Sequence, residues 1–145
     1  MAKFEIIVGS VLGASEYVAD ALQEELLGQT HSAEIHLTPQ LSDLDREAIW
    51  LICTSTHGAG DLPDNIQPFA KQLDAQNLPS VKFLIVGLGD SSYDTFCMGA
   101  VQIETILLNA GASLLYPAQH IDVLHHPIPE DNAVDWLKNW LATQA

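Results

Sequence analysis

Two rhythms of apolar residues alternate along this chain. Dense, β-branched runs mark strands, and apolar positions three and four apart mark helices. Lys3 to Gly9 reads as a buried strand ending in glycine. Ser15 to Leu27 places Tyr17, Val18, Ala21, Leu22 and Leu26 on one helical face, and Gly28 stops it. Glu34 to Leu37 alternates and predicts a half-exposed strand. Ile49 to Ser55 is a second buried strand, Ile66 to Leu73 a short helix, and Val81 to Leu88 a third buried strand. Gly99 to Ala110 is helical and capped by Gly111. Ser113 to Tyr116 is a last strand that resumes at Ile121, and Asp131 to Thr143 is a closing helix with Trp136 and Trp140 on one face. Counted as five β-α repeats, this order predicts an α/β fold in one domain, 1–145. A parallel sheet lies between helix layers, because strands this apolar must be covered on both faces.

Composition narrows the function. The 145 residues carry 19 acids against 5 bases, a formal net charge of −14. That surface repels nucleic acid and anionic membranes and attracts a basic protein patch. No apolar run approaches the ~20 residues of a membrane span. The N-terminal apolar stretch is too short for a secretory leader. Cys53 and Cys97 make neither a disulfide framework nor a metal site, so a cytoplasmic protein with reduced thiols is expected. His31, His36, His120, His125 and His126 lack metal-ligand spacing and read as surface residues, so no metal is expected.

In a parallel sheet, ligands bind beyond the carboxyl ends of the strands. Three loops fall there. Gly9-Ser10-Val11-Leu12-Gly13-Ala14-Ser15-Glu16 offers hydroxyls, a turn at Gly13 and the amino end of a helix. Those are the parts of a phosphate cradle that needs no lysine. The same residues equally serve as a turn at Gly13 and an N-cap at Ser15. No GxxxxGK(S/T) or GxGxxG pattern follows the first strand, which argues against triphosphatase and dinucleotide folds. Thr56 to Asn65 is long for a strand-to-helix connection, has two glycines, and puts the His57 ring at its rim. Gly87 to Cys97 places Tyr93 among small polar residues, as a stacking platform or as a cover for a helix end. Together the loops suit a planar ring with a phosphate tail.

Those two later loops, Thr56-His57-Gly58-Ala59-Gly60-Asp61-Leu62-Pro63-Asp64-Asn65 and Gly87-Leu88-Gly89-Asp90-Ser91-Ser92-Tyr93-Asp94-Thr95-Phe96-Cys97, resemble the flavin-contacting loops of the flavodoxin family. The whole chain, including Ile128-Pro129-Glu130-Asp131, is similar to its small MioC-type members. The resemblance implies a flavodoxin-like three-layer sandwich, a five-stranded parallel sheet in order 2-1-3-4-5, and noncovalent FMN. It puts Ser10, Val11, Leu12, Gly13, Ala14 and Ser15 around the phosphate, with Leu12 where a threonine is common. Tyr93 would stack on one flavin face, and His57 would stand where relatives carry a second aromatic ring. The Gly58–Ala59 peptide would turn over to face the reduced ring, and backbone near Thr56, Asp90 and Cys97 would meet the pyrimidine edge. Gly60, Leu88, Gly89 and Phe96 complete the flavin-contacting set.

The function so implied is a low-potential electron carrier, a monomer without catalytic residues of its own. It would work between an NADPH-dependent flavodoxin/ferredoxin NADP reductase and acceptor enzymes such as biotin synthase. An FMN-dependent NAD(P)H/quinone oxidoreductase is the rival of a different class. A receiver-like regulator is a third, but Gly9-Ser10 and Thr54-Ser55 stand where its aspartates would be needed.

Overall fold

The computed structural model describes residues 2–11, 13–58 and 60–144; Leu12 and Ala59, both site candidates, lie outside them. The chain runs β1 (Lys3–Gly9), α1 (Ala14–Gly28), β2 (Ser32–His36), β3 (Ile49–Ser55), α2 (Gln67–Leu73), β4 (Lys82–Gly89), α3 (Met98–Asn109), β5 (Ser113–Leu114), β6 (Gln119–Asp122) and α4 (Pro129–Ala142). Every strand pairing is parallel, in the order β2-β1-β3-β4-β5, with β6 further along β4. β5 pairs with Lys82 and Phe83, and β6 with Val86 to Gly89. They are therefore two pieces of one fifth strand, and the sheet has the expected order 2-1-3-4-5. The interruption contains Pro117, which has no N–H for the ladder. Its carbonyl instead accepts the Trp136 indole N–H at 3.1 Å.

Alternation along the strands sends side chains to two cores. Phe4, Ile6, Val8, Leu51, Cys53, Leu84 and Val86 pack under α1 and α4, with Trp136 and Trp140. Ile7, Trp50, Ile52, Phe83 and Ile85 pack under α2 and α3, with Phe69, Ile103 and Leu107. The result is a flavodoxin-like α/β/α sandwich.

Three details differ from the expectations. A single 3-10 turn at Leu41–Asp43 links β2 to β3, so the described residues hold four α-helices rather than five repeats. Helix α1 includes Gly28, and the left-handed residue beyond it is Thr30, φ 69°. His31 and His36 are half-buried rather than surface residues. His31 Nδ1 accepts the Ala2 N–H at 2.9 Å, and its ring meets Phe4 edge-on. No helix among the described residues is long and apolar enough to cross a membrane.

Candidate functional site

Parallel strands place all their carboxyl ends on one edge of the sheet, and there the loops enclose a crevice of about 430 Å³. That volume lies within the usual range for small-molecule sites. Val11 and Ala14 line it from the first loop, and Thr56 and Gly58 from the second. Leu88, Gly89, Asp90, Tyr93, Phe96 and Cys97 line it from the third. Three further lining residues, Ser55, Thr95 and Val123, escaped the sequence reading. Ser55 and Thr95 lie within or beside the segments singled out, whereas Val123 follows β6 and only the sheet order brings it near. Ser10, Gly13, Ser15, His57 and Gly60 are not among the lining residues.

The first loop explains part of that difference. Gly13, not Ser15, is the residue preceding α1, and it is left-handed at φ 91°, a conformation glycine adopts without a Cβ penalty. The Ser15 side chain is fully buried. Its hydroxyl shares a 2.6 Å hydrogen bond with the Ser55 hydroxyl, so it reaches the crevice only through Ser55. The Ser10 hydroxyl accepts the Gly13 N–H at 3.0 Å and donates to Glu16 Oε2 at 3.3 Å. Gly13, the N-cap residue, has no side chain with which to cap the first turn of α1. The amino end of α1, with the positive end of its dipole, therefore favours an anion placed beside it. This is the observation by which the loop fits a phosphate without a lysine.

The second loop is a tight reversal. His57 donates its N–H to the Asp61 carbonyl at 2.7 Å, and Asp61 returns the bond at 2.8 Å. Gly58 (φ 52°) and Gly60 (φ 100°) supply the left-handed turns between them. The Gly60 carbonyl accepts a hydrogen bond from Gln102 of α3. His57 is exposed and is not among the residues that line the crevice. Asn65 ties the three segments together. Its Nδ2 donates to the Val8 carbonyl at 2.6 Å and the Leu37 carbonyl at 2.9 Å, and its Oδ1 accepts the Ser10 N–H at 2.9 Å. In the sequence Asn65 is only the last residue of a loop, and no local pattern singles it out.

The third loop is pinned by carboxylates. Asp90 Oδ1 accepts the Ser92 N–H at 2.8 Å, and Asp122 Oδ1 accepts the Ser91 and Leu124 N–H groups at 3.2 and 3.0 Å. The Ser91 hydroxyl and these amides favour the anion, so the Asp122 carboxyl is held below its ordinary value of 3.8 despite some desolvation. Cys97 is the left-handed residue (φ 53°) from which α3 starts. Burial, reinforced by the Asp122 charge, pushes its thiol up to about 12, so it stays protonated and unreactive. Burial alone does the same to Cys53 in β3. The Thr56 hydroxyl accepts the Gly99 N–H at 2.9 Å and so caps α3. Tyr93 is 64% exposed and Val11 42%, leaving two apolar surfaces on the crevice walls open to solvent.

A flat-ringed ligand with a phosphate therefore has a lysine-free anion end, backbone-rich walls and an aromatic ring at the rim. The sequence model of the flavodoxin family matches residues 6–136. Protein MioC of Escherichia coli is 43% identical over 143 residues, spanning 97% of each chain. Flavodoxin YqcA of the same organism is 35% identical over 144 residues, again 97% of each. Among solved structures, a cysteine variant of flavodoxin from Pseudomonas aeruginosa superposes with a TM-score of 0.83 at 35% identity over 97% of each chain. The flavodoxin of Streptococcus pneumoniae superposes at 0.84 with 26% identity, covering 98% of this chain and 99% of that one. The chain belongs to the flavodoxin family, the FMN-dependent electron-transfer proteins, and it carries electrons rather than catalysing a reaction of its own.

Proposed function

We propose that this flavodoxin shuttles electrons from an NADPH-dependent flavodoxin/ferredoxin NADP reductase to acceptor enzymes, biotin synthase among them, as a monomer in the cytoplasm. The observation that carries the reading is the crevice itself, open to solvent beside Tyr93 and Val11 on a chain of net charge −14. An open edge lets a partner approach the cofactor, and the acidity speeds encounter with a basic docking face.

FMN, when bound, supplies transfer of one electron at a time. The chain's own residues bind and orient it. Val11 and Ala14, at the start of α1, would hold the phosphate through backbone N–H groups, with the Ser55 hydroxyl at hand and Ser10 bracing the turn at Gly13. Tyr93 would cover one ring face, and Leu88, Phe96 and Val123 would exclude water from the crevice wall. Backbone at Thr56, Gly58, Gly89, Asp90 and Cys97 would meet the polar ring edge. The absence of a lysine or arginine among the lining residues leaves added negative charge uncompensated, which favours a low potential.

The test is reduction of FMN-loaded protein followed by visible absorption. NADPH alone should leave the flavin oxidised, and NADPH with a catalytic amount of the reductase should bleach it. Bleaching by NADPH alone would establish the quinone-oxidoreductase reading instead. With the reductase present, the transfer rate should fall steeply as salt rises from about 0.01 to about 0.5 M, because screening removes electrostatic steering.

A further inference from the structure

The strongest polar cluster outside the crevice lies within the strands. Glu5 of β1 stands directly opposite Glu34 of β2, and His36 lies two residues along on the same face. One donor atom from each of the three falls within 4.8 Å of the other two. Glu5 is only 1% exposed, on a face otherwise covered by Ile7, Trp50 and Ile52. Its Oε2 accepts the Asp45 N–H at 2.9 Å. Its Oε1 has no partner outside the cluster among the described residues, and it points at His36 Nε2, 3.3 Å away.

A buried carboxylate without a lysine or arginine is costly, and like charges opposed across a strand pair destabilise it further. A divalent cation reverses both effects. Carboxylate and imidazole donors are typical zinc ligands at roughly 2.0–2.2 Å, which sets tetrahedral donor–donor edges at roughly 3.3–3.6 Å. The Glu5–His36 separation of 3.3 Å already matches that edge. The exposed Glu34 can rotate to close the third, and its solvent side gives the ion a way in. The Asp45 N–H orients the Glu5 carboxylate from behind, as outer groups do in metal sites.

We propose that Glu5, Glu34 and His36 form a binding site for zinc or a similar first-row divalent cation, with a fourth position left to water. The site pins edge strand β2 and the segment at Asp45 to β1. It lies four residues before Gly9, roughly 13 Å of strand from the crevice, so it acts on stability and leaves flavin binding unchanged.

The experiment is titration of chelator-treated, FMN-loaded protein with zinc chloride, read by calorimetry, thermal unfolding and flavin fluorescence. One zinc per chain is expected, with a Tm rise of roughly 5–10 °C at free zinc one hundred times Kd, and no release of FMN. Glu34→Gln and His36→Ala should each weaken binding about tenfold or more. A His125→Ala/His126→Ala double variant should bind like the parent. Absence of saturable one-to-one binding overturns the proposal. So does binding untouched by both strand variants, or binding lost in the double variant. Glu5→Gln is not the deciding variant, since removing a buried charge alters folding by itself.

Discussion

The crevice and the strand cluster are both polar, but they are built in opposite ways. At the crevice, most polar side chains near the ligand space are engaged by the fold. Thr56 caps α3, Ser15 bonds Ser55, Ser10 bonds Gly13, and Asn65 ties three segments. What remains for a ligand is backbone N–H and C=O, plus rings at the rim. In the strand cluster the reverse holds. Backbone groups are consumed by the β1–β2 ladder, and three side chains converge with one buried oxygen unclaimed from outside. Loops thus offer oriented backbone to an extended organic ligand, whereas a sheet face offers side chains to a compact ion.

Replacing Asn65 by leucine should expose this dependence most strongly. It removes three hydrogen bonds and leaves the Val8, Leu37 and Ser10 backbone groups without partners. Unfolding in urea should show a loss of about 3 kcal/mol, and FMN affinity should fall with it because two loops lose their common anchor. Tyr93→Ala should separate binding from stability. FMN affinity should drop about tenfold, equivalent to about 1.4 kcal/mol, when followed by flavin fluorescence. The unfolding midpoint of the flavin-free protein should stay within about 0.5 kcal/mol, since the ring is largely exposed.

On the other side of the comparison, Trp50→Phe removes the indole N–H that holds the Asp45 carbonyl at 3.0 Å. About 1 kcal/mol of stability should be lost. Zinc affinity should weaken while FMN affinity does not, because Asp45 also orients Glu5. The smallest effect belongs to Asp122→Asn. The folded carboxyl is held below its ordinary value of 3.8, so its contribution is present at neutral pH and is lost as pH falls through the lower, folded value. The variant should be slightly less stable at pH 7. Its Tm should also decline less steeply as the pH is lowered below about 4.

Much of the crevice was legible because it depends on loops, and loops announce themselves. Gly58, Gly60 and Pro63 break the pattern after Ser55, and Tyr93 is an aromatic ring where no core calls for one. Where the reading went wrong, side-chain direction was the missing quantity. Ser15 looks like an N-cap, yet it stands two residues beyond the N-cap Gly13, and its side chain is buried against the Ser55 hydroxyl. His57 is exposed, as a ring at the rim should be, and its backbone pairs with Asp61 across a tight reversal that the loop pattern does not show. Glu5 alternates correctly within a strand, and nothing local distinguishes a buried glutamate from an exposed one.

By itself, the sequence determined the alternation of strands and helices, the sheet's burial on both faces, and the three loops that line the crevice. Those follow from local periodicity and turn chemistry, which act over a few residues. Tertiary structure decided which atoms meet. The parallel register of β1 and β2 sets Glu5 against Glu34. The split fifth strand brings Val123 to the crevice, and Asn65 spans from Val8 to Leu37. Contacts between residues 28 to 57 positions apart depend on strand order and helix packing, and no short-range pattern encodes either.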